Sequence, residues 1–351
     1  MRPEALSHLR CPQSHEVLDL HPFATDGPHI MSGVLVSSAA WYPIIDGIPR
    51  LLPHQPWPTF AADHAEALNQ LGFSTATPSP PPNKLQHQTS TLFGYEWQLF
   101  RRFGWDDPVY NLAWSRNRFA EMTLIQPDEW ADKLVLDAGC GNGRYSYCAA
   151  EQGATVYAVD LGAGVEAAFA NTRDLSTVHV IQGDIFQLPF APATFDTVFS
   201  VGVLMHTGDA QRAAHALCEL TKTTLAVTVY GRGNIFYEAI DGGLRAITTR
   251  LSIANLHRFV EVVLAIRCIL DRLYLTRWVQ HRLGEWDEHP HCVFDWYGAP
   301  IATHHNLEEV ALWMLERGLA IEQASPMKSA NRWWELLGAT AAPITVRAAR
   351  R

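Results

Sequence analysis

The stretch Val135-Leu-Asp-Ala-Gly-Cys-Gly-Asn-Gly-Arg144 sets an apolar run, an acid and alternating glycines side by side. Asp160 closes a second apolar run that begins at Ala154. Such an arrangement holds a nucleotide-type cofactor. Glycines reach backbone angles closed to other residues and let a ligand approach the main chain with no Cβ in the way. A helix over about 143–152 would begin with free N–H groups. An acid ending the second strand accepts hydrogen bonds from ribose hydroxyls. A dinucleotide loop reads G-x-G-x-x-G. Here Gly139, Gly141 and Gly143 give G-x-G-x-G, and Arg144 stands at the third dinucleotide glycine. Asp137 would repel a pyrophosphate and suits a ligand with an ammonium group, such as the methionine half of S-adenosylmethionine. The plainer reading is a purely structural turn.

Two further stretches follow in order: Gly183-Asp-Ile-Phe-Gln-Leu-Pro-Phe190 and Phe195-Asp-Thr-Val-Phe-Ser-Val-Gly-Val-Leu-Met-His206. With the glycine loop, they make roughly residues 92–340 resemble the class I S-adenosylmethionine-dependent methyltransferases. The resemblance implies an α/β fold: a Rossmann-like, seven-stranded, mostly parallel sheet with helices on both faces. It implies S-adenosylmethionine held by Asp137, Gly139, Cys140, Gly141, Asp160 and Leu161. Asp184 would meet the adenine amino group, with Ile185 beside the ring. Ser200 lies on the fourth strand, which ends under the transferable methyl. A helix before the first strand often covers the cofactor in that family, so Tyr95 and Trp97 are candidate cover residues. None of this names a substrate.

Methyl transfer from a sulfonium is an in-line displacement with a neutral leaving group. The protein must mainly hold nucleophile, methyl and sulfur on one line in a dry site. A base is needed only where the nucleophile keeps its proton. His206, just past the fourth strand, is the first candidate for that base, and a structural role is the plainer one. Asp295 and Tyr297, read as sharing one side of an extended segment, are the other catalytic candidates. They stand among Glu285, Asp287, His289, His291, His304 and His305. With no H-x-x-x-H or C-x-x-C spacing there, no metal is expected.

Arg101, Arg116 and Trp105 are candidate substrate-binding residues, with Tyr230 and His304. The first three belong to a block from Phe93 to Phe119 dense in rings and arginines. An amphipathic helix with solvated arginines is the plainer account of that block. The twelve tryptophans mostly mean packing, but rings around a pocket also stabilise cations. O- or N-methylation of a small, apolar metabolite in specialised metabolism is therefore expected. Carbon methylation of an isoprenoid diphosphate stands as an alternative, and so does a catalytically silent S-adenosylmethionine-binding regulatory partner.

The elements that must position these residues follow the βαβ rhythm of a parallel sheet. Strands are expected near 133–137, 154–160, 177–182, 195–201 and 223–230. Helices are expected near 143–152, 163–172 and 208–220. A helical insertion, 232–300, follows the fifth strand. Within it Ile253, Leu256, Phe259, Val260, Val263, Ile266, Ile269, Leu270 and Leu273 recur at helical steps. That helix is a packing element, a cavity wall or the face of a homodimer. Asn306 should cap the next helix and Gly318 should end it. The last two strands are expected at Leu319 and at Trp334.

Residues 1–58 resemble a small zinc-ribbon-like domain known from a methyltransferase activator. A ribbon needs two close pairs of Cys or His ligands. Only Cys11 remains, with Ser14 at its partner position and Ser37 and Ser38 where the second pair belongs. The unit is expected as a β-rich covering module without zinc. Residues 59–91 form a linker or lid, Pro-rich from 72 onward, and 92–351 the catalytic domain.

The chain has 351 residues, a net charge of −9 and 48% hydrophobic residues, which support a packed core. The absence of a basic run disfavours nucleic acid as a partner. No stretch has transmembrane length. Scattered cysteines and no leader-like N-terminus point to the cytoplasm.

Overall fold

The computed structural model describes residues 1–38, 40–53, 55–73, 84–233, 235–276, 289–325 and 343–350. Eleven strands form one sheet in the order β1-β2-β3-β4-β7-β6-β5-β8-β9-β11-β10. They are β1 Asp19–Asp26, β2 His29–Val36, β3 Trp41–Ile45, β4 Ile48–Leu51, β5 Leu134–Ala138, β6 Thr155–Asp160, β7 Val178–Gly183, β8 Phe195–Val201, β9 Thr221–Val229, β10 Leu319–Ser325 and β11 Ile344–Arg350. β5 to β9 run parallel, and β11 lies antiparallel between β9 and β10.

The expectation of seven strands is corrected to eleven. β5–β11 make up the expected seven, and four N-terminal strands extend their edge. The join is β4 on β7, with Arg50 opposite Gln182 and Leu51 opposite Gly183 in parallel register. The cause is local. All four residues of Ile48-Pro-Arg-Leu51 are buried, and the outer edge of β7 otherwise presents unpaired main-chain groups.

Residues alternate cleanly between two cores, as a pleated strand requires. Leu136, Tyr157, Val159 and Ile181 point to one face, with Leu217 and Trp313. These belong to α7 (Ala210–Leu220) and α11 (Leu307–Leu315). Val135, Val156, Ala158 and Val180 point to the other face. There they meet α4 (Leu112–Thr123), α5 (Arg144–Glu151) and α6 (Gly164–Thr172). Asn306 caps α11 reciprocally with Glu309.

A third core lies apart from the sheet. It joins α8 (Ile235–Thr248), α9 (Ile253–Arg272) and α10 (Pro290–Gly298) to α3 (Lys84–Leu99). Tyr237, Leu256, Val260, Val263, Val293, Phe294, Trp296 and Tyr297 are its buried residues, packed on Leu92 and Tyr95. Only the first half of α9 joins it. Ile266, Ile269 and Leu273 are exposed.

Three expectations about elements change. The stretch 84–91 belongs to α3 rather than to a linker, and the short helices α1 (Pro58–Asp63) and α2 (Ala65–Gln70) precede it. Asp295 and Tyr297 lie on helix α10, not on an extended segment. Two helical steps turn about 200°, so the two side chains face opposite ways. The final strand is at 344–350; Trp334, like Glu285 and Asp287, lies outside the described residues.

In the N-terminal unit, Cys11 Sγ lies 3.3 Å from Tyr42 Oη and accepts from Ser14 N and Ser37 Oγ at 3.5 Å. Ser14 and Ser37 thus bond Cys11, whereas Ser38 bonds Glu16. Burial opposes ionisation of the Cys11 thiol, but these bonds outweigh it and bring its pKa down to about 7. Among the described residues no three His, Cys, Asp or Glu side chains converge on a metal position. None of the described helices is long and apolar enough to cross a membrane.

Candidate active site

One cavity of about 450 Å³ opens at the carboxyl ends of β5–β9. That is where ligands bind in open parallel sheets. Its floor is bare backbone. Gly139 and Gly141 have φ of +95° and +53°. A Cβ on Gly139 would lie 2.2 Å from Val203 Cγ2, and one on Gly141 would lie 2.7 Å from the Trp97 indole. Only glycine satisfies both the conformation and the approach.

At one end of this floor stands Asp160. Its Oδ2 accepts from Gly141 N at 3.0 Å and its Oδ1 from Gly162 N at 2.9 Å. Burial raises its pKa, and those N–H groups partly offset the rise. Both oxygens keep further lone pairs for a diol. Leu161, Asp184 and Ile185 line the cavity beside it, and so does Cys140. Asp184 Oδ1 accepts from Phe186 N, which fixes its rotamer.

The loop carrying Leu161 is braced from the N-terminal unit. Arg50 donates to Gln182 Oε1 at 3.1 Å and to Glu166 Oε1 at 2.7 Å. Gln182 Nε2 then donates to Leu161 O at 2.9 Å. This two-step chain runs from β4, through β7, to the cavity wall.

At the opposite end are His206, Tyr230 and Asp295. His206 follows β8 on a short turn. Its Nδ1 donates to Ile301 O at 2.6 Å, which leaves Nε2 as the acceptor; Nε2 is buried without a partner. Burial pushes this imidazole down to about 4, so it is neutral at pH 7. Tyr230 Oη donates to Asp295 Oδ2 at 3.0 Å. Burial raises the Asp295 carboxyl to about 6 and holds the Tyr230 phenol well above its usual range.

Residues 136–224 match the methyltransferase domain family. Within the chain this methyltransferase segment supplies β5–β8, the glycine loop, Asp160, Asp184 and His206. A demethylmenaquinone methyltransferase of Thermobifida fusca is 34% identical over 115 residues, 32% of this chain and 49% of that protein. A malonyl-[acyl-carrier protein] O-methyltransferase of Serratia marcescens is 36% identical over 88 residues, 25% of this chain and 34% of that protein. The chain thus spans about half or less of the length of these two relatives. A magnesium protoporphyrin IX methyltransferase of Synechocystis PCC 6803, solved with bound SAH, is 15% identical with a TM-score of 0.39. It covers 83% of this chain and 96% of its own.

The methyltransferase segment meets the rest of the chain around the cavity, where several sequence-derived candidates stand elsewhere. Asp137 lies beneath the loop and accepts from Ser146 Oγ at 2.6 Å. Burial raises its pKa to about 7. Ser200 donates to Ala138 O at 2.7 Å and does not reach the cavity. Tyr95 bonds His257 at 3.0 Å within the third core, while Trp97, two positions on, covers the glycine loop. Tyr297 is buried in that same core.

The proposed substrate cations fare similarly. Arg116 makes a two-pronged ion pair with Glu151 at 2.6 Å, and Arg101 bonds Gln98. Both are surface contacts. Trp105 packs edge-on against Tyr147, and His304 Nδ1 lies 2.7 Å from Glu238 Oε2. None of these four lines the cavity. The physical reason is partner choice: each finds an acid, an amide or a ring close by.

Two features escaped the sequence reading. Arg144, first residue of α5, sits in a box of rings. Its guanidinium carbon is 5.8 Å from Trp97, 4.9 Å from Phe103, 5.4 Å from Trp114 and 4.6 Å from Tyr145. Its Nη1 is buried without a hydrogen-bond partner, so it stands ready for an anionic group. Glu96 is fully buried, and its Oε1 lies 2.7 Å from His291 Nδ1 without hydrogen-bond alignment. Burial, with the nearby Asp295 charge, holds the Glu96 pKa well up, while burial lowers that of His291. A single acid within an aromatic helix carries no spacing signal. Only the first helical position of Arg144 was visible as a clue.

Proposed function

We propose that the chain is an S-adenosylmethionine-dependent methyltransferase acting on a small metabolite with an apolar body. One observation carries this reading. A single cavity runs from two carboxylates suited to ribose and adenine, across a glycine floor, to a neutral imidazole with a free nitrogen. Asp160 would take the ribose diol, Asp184 and Ile185 the adenine, and Arg144 the methionine carboxylate. Bound there, S-adenosylmethionine supplies an electrophilic methyl on a sulfonium. The chain's own work is to align, to exclude water with Trp97 and Phe93, and to receive a proton at His206 or Asp295.

Carbon methylation of an isoprenoid diphosphate is less well supported. The rings are present, but Arg101 and Arg116 stand away from the cavity, and of the arginines that line it Arg118 is paired with Glu121 and Arg144 is assigned to the methionine carboxylate.

Calorimetry with S-adenosylhomocysteine tests the cofactor assignment. Asp160→Ala should weaken binding at least about tenfold, since charge-assisted hydrogen bonds contribute about 1.5–3 kcal/mol. Unaltered affinity would overturn the assignment. Incubation with metabolite extracts and methyl-labelled cofactor should give a labelled product, and none at all would favour a silent binding protein.

A further inference from the structure

The acceptor end of the cavity has a one-sided hydrogen-bonding inventory. Tyr230 Oη donates to Asp295 Oδ2 at 3.0 Å. Trp296 Nε1 donates to Asp241 Oδ1 at 2.6 Å, and Thr207 Oγ1 to Leu204 O at 2.8 Å. His206 Nδ1 donates to Ile301 O at 2.6 Å. All four residues line the cavity, and each donor is already engaged by the protein. Beside these four stand two acceptors, the partnerless His206 Nε2 and the second oxygen of Asp295; His291 and Cys292, on the same helix as Asp295, also line the cavity.

The surrounding surface is aromatic. Phe93 packs 4.8 Å from His206, Tyr230 5.3 Å from His206, and Trp296 4.4 Å from Tyr230, centroid to centroid. Ring faces carry negative potential and attract cations. Arg144, held in its ring box beside the glycine loop, and Arg245, bonded to Trp296 O and Ala299 O, lend Asp295 partial counter-charge from a distance, and Arg118, paired with Glu121, also lines the cavity.

We infer that the methyl acceptor is an amine, bound as an ammonium whose N–H groups go to Asp295 and to His206 Nε2. The inference rests on the methyltransferase reading and narrows its substrate class. Burial raises the Asp295 carboxyl although Arg245 and Arg144 pull it down, and a cationic ligand in hydrogen-bond reach would stabilise the carboxylate further. A carboxylate ligand would instead meet Asp295 as a like charge. An alcohol has one O–H for two acceptors. In the reaction, Asp295 takes one proton from the ammonium and exposes the nitrogen lone pair. That pair forms the N–C bond as the S–C bond breaks, and sulfur keeps its electrons as a neutral thioether. The product is an N-methylammonium.

The test uses the full chain saturated with S-adenosylhomocysteine and three probes of one shape: 2-phenylethylamine, 2-phenylethanol and 3-phenylpropanoate. Calorimetry should find the amine at least about tenfold tighter than the alcohol, with no measurable binding of the carboxylate. Asp295→Asn should bring amine and alcohol within about threefold of each other. Should that variant fail to fold, Tyr230→Phe frees Asp295 of its internal donor, and the amine preference should persist or widen. Equal or better binding of the alcohol or carboxylate overturns the inference. So does a preference unchanged by Asp295→Asn or lost in Tyr230→Phe, or failure of all three probes while S-adenosylhomocysteine binds. Failure of S-adenosylhomocysteine itself to bind would take the underlying reading with it.

Discussion

At the end of the cavity proposed for the cofactor, Gly139 and Gly141 present bare backbone, and Asp160 is fixed by two main-chain N–H groups. At the acceptor end, His206, Tyr230 and Asp295 are set by neighbours from separate parts of the chain: Ile301, Phe93 and α10. The first end is dictated by strand and turn geometry, so one added atom spoils it. The second is dictated by side-chain choice on a helical cap with its own core, so its chemistry can change while the sheet stays the same.

Gly139→Ala should break the cofactor end most severely. It forces a side chain into φ of +95° and onto Val203. S-Adenosylhomocysteine affinity should fall about 100-fold or more, by strain and overpacking combined. A tenfold loss or less in calorimetry would show that the loop can yield, and the contrast would weaken.

The acceptor end should reveal itself through protons. Burial lowers His206 from 6.5 to about 4. Between those values the unfolded chain binds a proton that the folded chain refuses, so stability rises with pH across that window. The contribution is complete above about 6.5 and fades as pH falls toward 4, with a full size on the order of 3 kcal/mol. His206→Gln should therefore narrow the difference in urea-unfolding free energy between pH 5 and pH 7 by about 2 kcal/mol. An unchanged difference would mean that the imidazole charges freely in the fold.

The smallest expected effect sharpens the boundary between the two ends. Arg50→Met cuts the chain through Gln182 to Leu161, and cofactor affinity should weaken about three- to tenfold. Arg116→Ala, which removes an exposed ion pair, should leave that affinity unchanged. If the two variants behave alike in calorimetry, the N-terminal unit does not brace the cofactor loop.

The contrast also explains what the sequence disclosed. The glycine loop, Asp160, Asp184 and the strands β5–β9 were legible, because each depends on residues adjacent in the chain. His206 was legible as a position after β8, but the acceptor that sets its tautomer is the Ile301 carbonyl, far along the chain. Arg101 and Arg116 misled because a cation in sequence says nothing of which acid it will find. Asp295 and Tyr297 were separated only once their segment proved helical. Glu96 and the ring box of Arg144 are products of packing between α3, the turn after it, α4, α5 and α10. The N-terminal strands were read as a separate unit because the hydrogen bonds joining β4 to β7 leave no pattern in either segment.

That join also orders events during synthesis. Ile48–Leu51 leaves the ribosome well before Val178–Gly183, its partner in the sheet. Chains emerge N-terminus first, and pairing across such a long sequence separation is slow. The four-stranded N-terminal sheet therefore waits with an unpaired edge until β7 exists. Whatever shields that edge in the interval governs how much of the newly made chain reaches the native sheet rather than another copy of itself.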